Sequence, residues 1–189
     1  MKKIGIYGGT FDPIHHGHLI LAREALEKLE LEQVVFIPAA LSPHKLSAEP
    51  TPAALRLEML HAAIAAEPRF IIDELELQRP APSYTIETIE EYRRRQPDAE
   101  IFYLIGSDNL ARLDTWHRIE ELRGLMQFVV LHRGGAPVSQ EFPVIGRHID
   151  ISATEIRNRV ASGRSIHYLV PPAVEEIIQR QQLYRDPKR

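Results

Sequence analysis

The chain has 189 residues, 44% of them hydrophobic, no cysteine, and a formal net charge of −3 from 23 basic and 26 acidic side chains. The length suits one compact domain, residues 1–189, with a sizeable core, and the missing cysteines exclude disulfides, thiolate metal sites and thiol catalysis. The slightly acidic balance argues against nucleic acid as a partner, so an anionic ligand must be held by local cations and backbone N–H groups.

Met1-Lys2-Lys3-Ile4 runs straight into a strand-like segment, Ile4-Gly5-Ile6-Tyr7, without the apolar h-region of a signal peptide. No stretch approaches the roughly 20 apolar residues of a membrane span, and a cytoplasmic location is the expectation. The next segment is Gly8-Gly9-Thr10-Phe11-Asp12-Pro13-Ile14-His15-His16-Gly17-His18, followed by an apolar stripe at helical spacing, Leu19, Ala22, Leu26 and Leu29. A second strand is expected at Val34-Val35-Phe36-Ile37. After it comes a loop from Pro38 to Pro50 that carries Pro43-His44-Lys45. Thr51-Pro52 reads as an N-cap followed by proline at the first helical position, with Leu57, Leu60, Ala63 and Ile64 as the buried stripe.

Phe70-Ile71-Ile72-Asp73 reads as a third strand. A Pro-containing loop from Gln78 to Ser83 then leads through Ser83-Tyr84-Thr85 into a helix, with Thr85 expected as its N-cap. On that helix Arg93-Arg94-Arg95 reads as a solvated face. Strands follow at Ile101–Ile105, Phe128–Leu131 and Ile149–Ile151, and the chain between them holds Gly106-Ser107-Asp108 and Trp116-His117-Arg118. Continuously apolar strands alternating with helices indicate an α/β fold, a doubly wound, mostly parallel sheet with helices on both faces. Ligands of such sheets sit beyond the carboxyl ends of the strands, where both long loops begin. C-terminal helices from about residue 152 are expected to pack onto this single domain.

The first strand–turn–helix is where an α/β protein binds phosphate. Paired glycines let the backbone turn and approach a ligand, and a helix N-terminus presents unpaired N–H groups to an anion. His15 and His18 are three apart, hence neighbours on one helical face, and Gly17 keeps that face clear of a Cβ. Two imidazoles there can donate hydrogen bonds to phosphate oxygens. The P-loop and dinucleotide patterns are absent. A zinc site lacks H-E-x-x-H, a cysteine and an evident third ligand, so no protein metal site is expected. Near the C-terminus Ser152-x-x-Glu155 is a capping box, and Arg157 returns to the same helical end with a guanidinium suited to phosphate.

Gly9-Thr10-Phe11-Asp12-Pro13 followed by His15-x-Gly17-His18 resembles the signature of the nucleotidyltransferase superfamily, related to class I aminoacyl-tRNA synthetases through the H-x-G-H motif. The resemblance implies a Rossmann-like nucleotidyltransferase fold. It also implies an ATP site at Gly8, Gly9, Thr10, Phe11, His15 and His18, with Ser152, Thr154 and Arg157 as the S-x-T-x-x-R segment that grips the outer phosphates. Ala153 stands where serine is common.

Over nearly all of its length, through Tyr168-Leu169-Val170-Pro171 and Leu183-Tyr184, the chain is similar to bacterial nicotinate-nucleotide adenylyltransferases. That likeness implies that Trp116 stacks on the nicotinate ring. The backbone around Thr85 and the Trp116, His117, Arg118 segment receives the ring carboxylate, and Gly106 and Asp108 attend the ATP ribose. Lys45 meets the acceptor's phosphate.

The expected reaction is adenylyl transfer from ATP to nicotinate mononucleotide, with His15, His18 and Arg157 stabilising charge and magnesium carried on the ATP. The same chemistry on nicotinamide mononucleotide or phosphopantetheine is the near alternative. A non-catalytic nucleotide-binding sensor is the alternative of another class. A membrane partner is not expected, and a homodimer is possible, since most soluble oligomers are two-fold.

Overall fold

The computed structural model describes residues 2–40, 49–80, 82–134 and 141–185. In chain order its elements are β1 (Lys3–Gly9), α1 (His16–Lys28), β2 (Gln33–Pro38), α2 (Ala53–Ile64), β3 (Phe70–Ile72), α3 (Thr85–Arg95) and β4 (Glu100–Gly106). A 3-10 segment (Ser107–Thr115), α4 (Ile119–Leu125), β5 (Gln127–His132), β6 (Val144–Gly146), α5 (Ala153–Ala161) and α6 (Pro172–Arg180) follow.

The six strands form one sheet in the order β3-β2-β1-β4-β5-β6, and every pairing is parallel. Parallel strands are covered on both faces, so side chains alternate between two cores. Tyr7, Phe36, Phe102, Leu104 and Val129 face α1, α2, α5 and α6, whereas Ile4, Ile6, Val35, Ile101 and Tyr103 face α3, α4 and the 3-10 segment. The strand order reverses between β1 and β4, and their carboxyl ends, Gly8-Gly9 and Gly106, frame the crevice of a doubly wound sheet.

Five of the six expected strands lie where the apolar runs put them. The sixth does not. β6 is Val144–Gly146, and Ile149–Ile151 is an irregular lead into α5, where the Ile149 N–H bonds the Arg133 carbonyl at 2.8 Å. An Ile-Asp-Ile alternation before a helix reads the same in either role, because a strand and an irregular lead both half-bury the two isoleucines and leave the aspartate exposed.

Two helix starts also shift by one residue: Pro52 rather than Thr51 caps α2, and Tyr84 rather than Thr85 caps α3. On α2 the buried positions are Arg56, Met59, Leu60 and Ile64, a stripe turned from the expected one by a residue at its start. Of the arginine triplet, Arg94 and Arg95 are exposed as expected and Arg93 is half-buried. Arg93 Nη1 donates to the Ala99 carbonyl at 2.7 Å and Nε to the Leu125 carbonyl at 2.7 Å, while Arg94 and Arg95 pair with Glu91. Among the described residues no helix is long and apolar enough to cross a membrane.

Candidate active site

The phosphate turn begins where β1 ends. A Cβ on Gly9 would stand 2.9 Å from the Phe11 ring, so only glycine lets that ring fold back over the strand end. Phe11 is left-handed (φ +50°) and 2% exposed, packed edge-on against Tyr7 at 5.6 Å and His18 at 5.2 Å between ring centres.

His15 caps α1 and His18 lies three positions on. Their rings stack with centres 3.7 Å apart and planes at 26°. A Cβ on Gly17 would meet the His15 ring at 3.0 Å, so glycine is what admits the stack. His15 is 1% exposed, and its pKa is lowered to about 3, first by burial and then by the charges of Arg133 and His16. It is therefore neutral near pH 7 and carries one N–H. His18 is half-buried, and its Nδ1 accepts the His15 backbone N–H at 3.3 Å, which places its imidazole proton on Nε2.

These groups line a cavity of about 840 Å³. Its walls are the Gly8–Asp12 turn, the imidazole pair, Gly106 and Asp108 after β4, Arg133 after β5, Ser152–Thr154 and Arg157 of α5, and the tail from Gln181 to Arg185. The Ser152 hydroxyl accepts the Glu155 N–H at 3.1 Å, as a capping box requires. Arg157 donates Nη1 to the Asp12 carbonyl at 2.7 Å and Nη2 to the Thr154 hydroxyl at 3.2 Å. Cations, a helix N-terminus and a glycine turn converge on one space of nucleotide size.

A second cavity, about 390 Å³, shares Gly8, Gly9, Thr10, Gly106 and Asn109 with the first. Trp116 and His117 line it on one side and Ser83, Tyr84 and Thr85 on the other, with Glu76 and Tyr103 also in its wall. Trp116 packs edge-on against Tyr103 at 5.8 Å and Phe128 at 6.1 Å, and Tyr84 leans on His117 at 4.9 Å. No side chain caps α3, so its first-turn N–H groups at Thr85 and Ile86 lack helical acceptors beside this space. Burial raises the pKa of the Glu76 carboxyl, which accepts the Thr88 hydroxyl at 2.8 Å.

Residues 6–159 match the family model described as cytidylyltransferase-like. The chain belongs to that family. A protein of Geobacillus thermodenitrificans named "Probable nicotinate-nucleotide adenylyltransferase" is 45% identical over 187 residues, 97% of this chain and 87% of the relative. One of the same name from Thermus thermophilus is 43% identical over 187 residues, covering 97% of this chain and all (100%) of the relative. The fold matches a solved Plasmodium falciparum nicotinic acid mononucleotide adenylyltransferase complexed with NaAD, at TM-score 0.85 and 18% identity over 100% of both chains.

Within this cytidylyltransferase-like chain, the residues expected to hold ATP all line the larger cavity: Gly8, Gly9, Thr10, Phe11, His15, His18, Gly106, Asp108, Ser152, Thr154 and Arg157. Thr85, Trp116 and His117 line the smaller one. Arg118 lines neither. It is left-handed (φ +56°), caps α4, and spends its guanidinium on Glu90 at 2.8 Å and Glu121 at 2.6 Å. Lys45 lies outside the described residues.

Sequence reasoning missed Arg133, Glu76, Tyr103, Asn109 and Tyr184. Arg133 was within reach, being the first residue past a strand that ends at the crevice. Glu76 lies in a stretch with no periodicity or motif to single it out, and Leu183-Tyr184 carries the family likeness without any sign that it reaches the cavity.

Proposed function

We propose that this chain transfers the adenylyl group of ATP to the phosphate of nicotinate mononucleotide, forming deamido-NAD and releasing pyrophosphate. One observation carries the reading. A cavity of about 840 Å³ lined by the two imidazoles, Arg133, Arg157 and the α5 N-terminus, and an aromatic one of about 390 Å³, meet at the Gly8–Thr10 turn, so two nucleotides can present their phosphates to each other across it.

ATP, brought in as its magnesium complex, occupies the larger cavity with its triphosphate toward the imidazoles, the α5 N-terminus and Arg157. The mononucleotide occupies the smaller one, its pyridine ring against Trp116 and its carboxylate at the uncapped N-terminus of α3 and the backbone near His117. Lys45 meets its phosphate. A phosphate oxygen of the mononucleotide attacks the α-phosphorus of ATP in line. One P–O bond forms, the bond to the β-bridging oxygen breaks, and the electron pair leaves with pyrophosphate. The attacking monoester is already largely dianionic, with a second pKa of about 6, so no general base and no covalent enzyme intermediate is required. The protein's work is alignment and charge stabilisation. The Nε2–H of His18 serves the α- and bridging oxygens, and neutral His15 keeps that ring in place by stacking and adds one donor of its own. Gly106 and Asp108 attend the ATP ribose.

Pyrophosphate release from ATP tests the reading, with nicotinate mononucleotide and nicotinamide mononucleotide supplied side by side. Release should require an acceptor and be faster with the acid. A chain that binds ATP and releases none with either acceptor is a sensor, and one that prefers the amide reverses the substrate assignment.

A further inference from the structure

The carboxylate of Asp12 lies where three distant segments meet, and the reaction above gives it no part. Its Oδ1 accepts the hydroxyl of Tyr184 at 2.6 Å, and its Oδ2 accepts the backbone N–H of Thr51 at 3.0 Å. Its backbone carbonyl accepts Arg157 Nη1. Two residues earlier the Thr10 carbonyl accepts Arg56 Nη1 at 2.8 Å, and Arg56 Nε donates to the Thr51 carbonyl at 2.9 Å. Arg56 is 1% exposed, so its guanidinium is committed to these carbonyls. The phosphate turn is thus fastened to the start of α2, to α5 and to the C-terminal tail.

These ties set the direction of the turn's own donors. The Thr10–Phe11 peptide is planar and trans, so a Thr10 carbonyl held by Arg56 aims the Phe11 N–H the opposite way, off the buried guanidinium. Phe11 keeps a left-handed backbone, which a non-glycine residue holds only where its surroundings over-determine it. Arg157, the cation aimed at the outer phosphates, is oriented by the Asp12 carbonyl, and Asp12 is oriented by Tyr184 and Thr51.

Tyr184 is well placed for this. It and Leu183 pack on the core beside α6, and it lines the larger cavity. Burial first, and then the Asp12 carboxylate, raise its pKa, so the hydroxyl remains a donor at any working pH.

From this junction we infer that Tyr184 is a positioning residue for ATP, acting through Asp12 to hold the phosphate turn and Arg157, and that the C-terminal tail is part of the nucleotide site. The inference rests on ATP occupying the larger cavity. Calorimetric titration of full-length Tyr184→Phe with magnesium–ATP and, separately, with nicotinate mononucleotide tests it.

The substitution keeps the ring and removes one charge-assisted hydrogen bond. ATP should bind about tenfold more weakly, mononucleotide affinity should stay within about twofold, and Tm should move by only a few degrees. Asp12→Asn should weaken ATP in the same direction, and the double variant should lose clearly less than the two single losses together, because the residues act through one contact. Unchanged ATP affinity in Tyr184→Phe, full additivity, or equal loss of both ligands together with a large fall in Tm would each overturn the inference. Failure of the wild-type chain to bind ATP would instead overturn the functional reading beneath it.

Discussion

A buried imidazole in contact with a second ring and facing an arginine takes up a proton only at strong acidity. His15 is in that position, with its pKa lowered to about 3 chiefly by burial. The unfolded chain protonates this residue near pH 6.5 and the folded chain does not, so folding loses stability as pH falls from about 6.5 toward 3. Between pH 6.5 and pH 5 the loss is about 1.6 kcal/mol, because the unfolded residue is only half-protonated at pH 6.5 and the full slope of about 1.36 kcal/mol per pH unit is reached below it. Urea unfolding of wild type and His15→Gln at the two pH values should show that extra loss in wild type alone. Parallel curves for the two proteins would mean that His15 titrates normally. His18 is half-buried, with its proton placed on Nε2. His18→Ala should cut turnover by roughly 10²- to 10³-fold, the effect of losing one donor to developing charge, with Tm little changed. A near-normal rate would remove it from the mechanism.

At the scale of elements, each helix has two jobs, covering the sheet and presenting an end. α2 shows both. Met59 and Leu60 are 0% exposed under the sheet, while Arg56 on the same helix reaches out to fasten the phosphate turn. The two jobs separate by substitution. Leu60→Ala leaves a cavity under the sheet and should cost about 2–5 kcal/mol by urea unfolding while leaving ATP affinity near wild type. If the affinity collapsed with the stability, α2 would be part of the site through its packing as well as through Arg56. α1 and α5 are likewise ordinary sheet-covering helices whose first turns line the larger cavity.

Seen whole, the molecule places its two cavities around the point where the strand order reverses. Chains leaving β1 and β4 turn to opposite faces there, and the gap between them has glycine on both sides. The larger cavity belongs mainly to the α1 and α5 layer, and the smaller to the α3 and α4 layer. That division predicts separable defects. Trp116→Ala should raise KM for the mononucleotide while sparing ATP, and Arg157→Ala should do the reverse, both read from initial rates with one substrate varied at a time. Crossed or shared effects would mean that the cavities are one site energetically.

The alternation of apolar strands with amphipathic helices, the glycine turn with its two histidines and the Ser152–Arg157 segment are local patterns, and each was legible in the order of residues. Periodicity and capping act within a few positions, which is why the sheet class and the imidazole pair could be read that way. Where two local roles share one pattern, as at Ile149–Ile151, the reading failed and only pairing with β5 decided which segment became the edge strand. Arg118 shows a second limit, since no pattern along the chain foretells that its guanidinium pairs with Glu90 and Glu121 and that the residue lines neither cavity. The contact between Asp12 and Tyr184 spans 172 positions. No pattern along the chain encodes such a pairing; it exists because α6 docks on α2 and returns the tail to the turn. The order of residues sets the parts and their chemistry, through forces that reach one helical turn. Which parts face one space follows from the packing of the layers, which brings together segments far apart along the chain.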